Sequence, residues 1–163
     1  MSESLLHLKS FAQLPPALRR FAQHTMTLEE AERIIRERIE SREERFLQIV
    51  ERCIYGYAAS PYRPLLQMAG CELGDLQEMV KRRGLEATLR ALREAGVYVT
   101  FEEYKGRQPM VRHGREFRVA PRDFDNPFAR SHLTFQTGGS TGTGSNVVAD
   151  VDHIAAGAPY QLL

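Results

Sequence analysis

Thr134-Phe135-Gln136-Thr137-Gly138-Gly139-Ser140-Thr141-Gly142-Thr143-Gly144-Ser145-Asn146 is the stretch whose reading decides the fold. Residues 137–145 hold four glycines and five hydroxyl side chains. Leu133 and Phe135 precede them, and Val147, Val148 and Val151 come after. Glycine tolerates positive φ and carries no Cβ, so such a loop can wrap a ligand with its backbone. Amide N–H groups turned inward form a concave nest suited to phosphate oxygens, and Ser and Thr hydroxyls add donors. The composition is also that of a flexible linker. Apolar residues on both sides favour strands built against the loop.

Two nucleotide loops compete for this composition. A Walker loop needs Lys and then Ser or Thr after its last glycine, and a helix whose N-terminus faces the phosphates. Gly139 and Gly144 have the spacing, but Ser145 and Asn146 stand where Lys and a hydroxyl residue belong. Val147-Val148-Ala149 is a β-prone run and a poor helix start. The dinucleotide fingerprint of three spaced glycines cannot be read here either. The pattern predicts strand, glycine loop, strand.

That arrangement resembles the phosphate-binding loop of the adenylate-forming, acyl-activating enzymes. Their loop runs Thr/Ser-Ser/Gly-Gly-Ser/Thr-Thr-Gly-x-Pro-Lys. Thr137-Gly138-Gly139-Ser140-Thr141-Gly142-Thr143 matches it, with Gly144 and Ser145 in place of Pro and Lys. Val147-Val148 and Asp152-His153-Ile154 are most similar to the branch that holds phenylacetate-CoA ligases and the acyl-protein synthetases of bacterial bioluminescence, in which the lysine is often absent. Ser60-Pro61-Tyr62-Arg63-Pro64-Leu65-Leu66, followed by Ala69-Gly70, is similar to a Pro-Tyr-Tyr-Arg segment of these enzymes.

The resemblance implies ATP as cofactor, with Mg2+ accompanying it on ligands outside this chain. It implies a carboxylate substrate and a thiol acceptor, either coenzyme A or a protein thiol. The cofactor-binding residues would be Thr137, Gly138, Gly139, Ser140, Thr141, Gly142, Thr143, Gly144 and Ser145. Enzymes of this kind extend beyond the loop for several times the length that remains after Ser145. The chain is therefore expected to be an N-terminal fragment, inactive alone, with no catalytic residue of its own.

Composition narrows the classes. The 163 residues are enough for a real core. A net charge of +1 supplies no global field to draw nucleic acid or an anionic membrane. No apolar run approaches the ~20 residues that span a bilayer, and residues 1–14 lack the pattern of a secretory signal. Two cysteines, Cys53 and Cys71, suit a reducing cytoplasm better than a disulfide framework. No His/Cys/Asp/Glu cluster has metal-site spacing.

Outward from the loop, three regions are expected: a packing arm over 1–26, a helical region over 27–104, and a β-ribbon with the phosphate loop over 105–163. The fold class is α+β, a helix-rich N-terminal part followed by short antiparallel strands, as an incomplete portion of a larger α/β domain. Thr27-Leu28-Glu29-Glu30 is a capping box. The helix it opens runs toward Ala58, with a break near Glu40-Ser41 and Cys53 on its apolar stripe. Pro61 and Pro64 start a short helix that Gly70 stops. Gly74-Asp75 caps a helix over 76–83, and a second covers 85–95. Val97-Tyr98-Val99 reads as a strand and Thr100 as a helix cap. His113-Gly114 is the turn of a hairpin, and Asp152 is an N-cap. Seven basic residues against three acidic between Lys105 and Arg130 offer a phosphate surface or an ordinary solvated ribbon. A helical interaction module with a mobile glycine-rich tail is the alternative function. Nucleic acid is not expected as a partner, because aromatic residues are sparse among the basic ones.

Overall fold

The computed structural model describes residue 19 and residues 25–128, 133–136, 146–149 and 151–163. Most of the expected packing arm lies outside that set. The described chain is mainly helical, with two small antiparallel sheets of two strands each, an α+β arrangement. It divides into two compact units, residues 1–40 with 128–163, and residues 41–127.

In the first unit, helix α1 (Leu28–Glu40) opens where the capping chemistry places it. The Thr27 hydroxyl accepts from the Glu30 amide at 3.2 Å, satisfying one of the free N–H groups of the first turn. Ala31 is fully buried. At the other end Arg38 donates to the Ala156 carbonyl at 2.6 Å, and its guanidinium lies 5.4 Å from the centre of the Tyr160 ring. These contacts tie α1 to the C-terminal helices α6 (Val151–Gly157) and α7 (Pro159–Leu162), where Val151 and Pro159 are buried. Helix α6 begins one residue ahead of Asp152, so that carboxylate sits inside the first turn and is not the N-cap expected of it. There it still complements the positive end of the helix.

Ser41 makes the expected break, and the second unit begins there. Helix α2 (Arg42–Val50) runs into a five-residue π-helical turn, Glu51–Tyr55. Helix α3 (Arg63–Met68) carries Pro64 near its start and ends on Gly70 with φ +64°. Helix α4 (Leu73–Glu94) is broken at Gly84, whose φ of 79° and ψ of 170° are not helical. The first half is capped from Glu72 rather than Gly74-Asp75: the Asp75 carboxylate accepts from the Glu72 amide at 2.9 Å. The second half opens on the Leu85 amide, which donates to Glu43 of α2 at 3.2 Å. Val50, Leu66, Cys71, Leu76 and Leu92 form the core, backed by Phe46, Ile54, Tyr55 and Met79. The helical spacing of Phe46, Val50 and Ile54 brings them to this core, whereas Ile49 on the same helix is exposed.

Val97-Tyr98-Val99, expected as a strand, belongs to no sheet. The Val97 amide closes the end of α4 on the Leu92 carbonyl at 2.8 Å. The carbonyls of Gly96 and Tyr98 accept from the Arg112 side chain at 3.1 and 2.7 Å. A guanidinium takes the place a neighbouring strand would fill. Thr100 then caps α5 (Phe101–Tyr104) in a reciprocal box with Glu103. Strands β1 (Met110–Arg112) and β2 (Arg115–Phe117) pair antiparallel, Met110 opposite Phe117 and Arg112 opposite Arg115. Their turn has positive φ at both His113 and Gly114, the geometry that matches the twist of the two strands. A 3-10 turn comes next, over Pro121–Phe124.

The strands expected around the glycine stretch are β3 (Leu133–Gln136) and β4 (Asn146–Ala149). They pair antiparallel from Leu133 opposite Ala149 to Gln136 opposite Asn146.

Candidate functional site

Thr137, Gly138, Gly139, Ser140, Thr141, Gly142, Thr143, Gly144 and Ser145 lie outside the described residues. Their anchors do not. The last pair of the β3–β4 ladder joins the residue before this stretch to the residue after it, so its two ends sit one strand spacing apart. Asn146–Ala149 continues as strand, and the next helix waits until Val151. The Walker arrangement, a loop running directly into a helix, is therefore not the one built here. The donor set of residues 137–145 is nine backbone N–H groups, since none is proline, and five hydroxyls. Neutral donors of this kind suit oxygens of an anion and offer nothing a soft metal would prefer.

Among the described residues no group of three or more His, Cys, Asp and Glu comes together as a metal site. None of their helices is long and apolar enough to cross a membrane. The cysteines do not form a redox pair within the described chain. Cys71 is buried, and burial pushes its thiol up, away from the reactive thiolate. The Tyr55 hydroxyl donates to the Cys71 carbonyl at 2.7 Å, and burial raises that phenol as well. Cys53 is half-buried, with its Sγ 3.9 Å from the Asn126 side-chain oxygen.

The basic excess between Lys105 and Arg130 resolves into separate roles. Arg112, which the sequence places among the surface charges, is buried at 7% exposure. It grips Glu103 with two hydrogen bonds of 2.7 and 2.9 Å and lies 3.8 Å from the centre of the Tyr98 ring. Arg107 pairs with Glu102 at 3.1 Å and Arg118 with Glu116 at 3.2 Å. Among the described residues these three arginines are each engaged by a carboxylate.

One feature of the second unit is only half legible in the sequence. A groove of about 500 Å³ lies between the Ser60–Gln67 segment and the β1–β2 hairpin with the turn after it. Arg63, Gln67, Arg118 and Asp123 supply its polar lining. The signal for it was present in Ser60-Pro61-Tyr62-Arg63-Pro64, where two prolines hold an arginine in a rigid bend. The opposite wall arrives from fifty residues downstream, which no local pattern announces. A smaller, more apolar hollow of about 270 Å³ shares Ser60, Pro61 and Asp123 with it and reaches Cys53, Tyr62 and Phe124. The Phe124 ring is held there by Tyr62 at 5.9 Å and Tyr104 at 5.4 Å.

No protein-family model matches the chain, and no curated protein or solved structure matches it.

Proposed function

We propose that the chain supplies the phosphate-holding part of an ATP-dependent acyl-activating ligase, as the N-terminal portion of a larger α/β adenylation domain. The single observation that carries this reading is the β3–β4 pairing, which brackets residues 137–145 between Gln136 and Asn146 and leads on as strand. The two paired strands hold the ends of the stretch together, as a ligand-wrapping loop requires. Within the loop, backbone N–H groups and the hydroxyls of Ser140, Thr141 and Thr143 would hold the β- and γ-phosphates and balance their charge. Bound there, ATP would supply the adenylyl group that activates a carboxylate, with release of pyrophosphate, before passage of the acyl group to a thiol. Magnesium would arrive with the nucleotide, on ligands from outside this chain. No side chain here is assigned as acid, base or nucleophile. The 163-residue chain is expected to bind nucleotide weakly, because a loop without its far wall bears its own ordering cost.

The reading is tested by titrating ATP and magnesium against the protein and measuring affinity. Gly139→Asp sets a carboxylate among the phosphate donors and should weaken ATP by about tenfold or more. Thr141→Val removes one hydroxyl and should cost about fivefold, the scale of one hydrogen bond. Unchanged ATP affinity in both variants would remove the proposal.

A further inference from the structure

We infer that the smaller hollow of the second unit, walled by Tyr57, Tyr62 and Phe124 and edged by Asp123 and Asp125, is a binding site for a small soluble quaternary ammonium ion. The hollow belongs entirely to residues 41–127 and uses none of residues 137–145, so it stands whether or not the glycine loop binds nucleotide.

The rings are the first argument. Tyr57, Tyr62 and Phe124 are each half-buried along the hollow. Tyr62 and Phe124 stand at 79° to each other with centres 5.9 Å apart, two walls of a corner. An aromatic face attracts a cation within about 6 Å of its centre. Elsewhere the chain satisfies that attraction itself, with Lys or Arg groups over Tyr98, Phe101, Tyr104, Phe117 and Tyr160. Among the described residues none lies over Tyr57, Tyr62 or Phe124. The turn that brings Tyr57 here is specific. Helix α2 widens into the π-helical turn Glu51–Tyr55, which the Gly56 amide closes on the Glu51 carbonyl at 2.7 Å. A Cβ on Gly56 would come within 2.9 Å of the Arg52 carbonyl, so only glycine fits that closure. Such π turns are frequent at functional sites.

Charge and size are the second. The lining holds Asp123 and Asp125 and no Lys, Arg or His. Among the described residues neither carboxylate has an ion-pair partner, and Asp123 accepts from the Ala120 amide at 2.7 Å. Asp123 also borders the larger groove, which contains Arg63. Setting that guanidinium against it still leaves Asp125, one net negative charge that a monocation balances. Ile54 and Pro127 complete an apolar interior. A primary ammonium needs three acceptors and is strongly hydrated, whereas a quaternary one has no N–H to satisfy and sheds water readily. The volume of about 270 Å³ falls below the roughly 300–1,000 Å³ of sites for drug-sized ligands, so the occupant is small. A phosphate attached to the ammonium, as in a phospholipid headgroup, would meet the two carboxylates, which favours the free cation.

The test is calorimetric titration of the full chain with choline, with its neutral isostere 3,3-dimethylbutan-1-ol, with ethanolamine and with phosphocholine. Choline should bind about tenfold or more tightly than the isostere, and more tightly than the other two. Tyr57→Leu should lose about fivefold in choline affinity and Asp125→Asn about threefold, while Glu94→Gln at the exposed end of α4 should change nothing. Thermal unfolding confirms that each variant is folded. Alkylation locates the site, because the half-buried Cys53 thiol lines the hollow and the buried Cys71 does not. Saturating choline should slow iodoacetamide labelling of Cys53 several-fold and leave Cys71 unaffected. The isostere comparison and the labelling need no variant, so they decide even if Tyr57→Leu does not fold. Equal binding of choline and its isostere, ethanolamine or phosphocholine binding as tightly as choline, no choline binding at millimolar concentration, an unprotected Cys53, or unchanged affinity in folded Tyr57→Leu and Asp125→Asn would each overturn the assignment. No nucleotide is present, so failure here leaves the ATP reading untouched, and the reverse holds.

Discussion

Glu103 and Arg112 carry the heaviest electrostatic load of any pair described. Both are nearly buried, at 6% and 7% exposure, and the carboxylate also accepts from the Thr100 amide at 2.7 Å. The two Arg112 hydrogen bonds, helped by that amide and by the Thr100 side chain, outweigh burial and hold the Glu103 carboxyl down at about 2, from an ordinary 4.5. Between those two values the unfolded chain binds the proton that the native state refuses. The stabilisation is therefore complete above about pH 4.5 and is lost as pH falls toward 2. Glu103→Gln should cost about 3–5 kcal/mol at neutral pH, because a buried guanidinium is left without its counter-charge. Urea unfolding should also show the variant losing less stability than the parent between about pH 5 and pH 3. Equal acid sensitivity in the two proteins would show that the pair is not coupled to folding. Replacing both partners with apolar residues should not restore stability here, since Arg112 also holds the carbonyls of Gly96, Tyr98 and Val111. Those carbonyls would lose the guanidinium donor.

At the scale of elements, the break in α4 gives a prediction whose sign separates two structures. In a continuous helix, Gly84→Ala would stabilise by about 1 kcal/mol through propensity alone. Gly84 instead has φ 79° and ψ 170°, a conformation essentially reserved for glycine, and the substitution should cost roughly 1–3 kcal/mol. Denaturant unfolding of Gly84→Ala reads the sign directly, and a stabilised variant would mean that the helix runs straight. The two neighbours of the kink explain its retention. Glu43 accepts from the Leu85 amide, and the Thr88 hydroxyl donates to the Gly84 carbonyl at 2.8 Å, so both sides of the interruption are satisfied. The arrest after α4 and the break at Ser41 were legible for the same reason: glycine and short polar residues act on their own backbone. The capping position before α4 was not, because Glu72 and Asp75 compete with Gly74-Asp75 for one turn, and only the observed hydrogen bond distinguishes them.

At the scale of the molecule, residues 41–127 contain a core of their own, Val50, Leu66, Cys71, Leu76 and Leu92, and the buried ion pair besides. That segment expressed alone should keep its helical circular dichroism and unfold in one cooperative urea transition; a broad, non-cooperative loss of signal would show that the core depends on the rest of the chain. The amino-acid sequence by itself determined what acts over a few residues. It placed the Thr27 and Thr100 caps, the break before Arg42, the turn at His113-Gly114 and the strands on either side of the glycine stretch, because propensity, capping and turn geometry depend on near neighbours. Only the tertiary structure decided which distant groups meet. It turned Arg112 from a surface charge into the partner of Glu103, took residues 97–99 out of any sheet, and set Arg63 opposite Arg118 across a groove. Such meetings depend on packing between segments whose separation along the chain carries no periodic signal, and their energies appear only once the two groups share the same desolvated space.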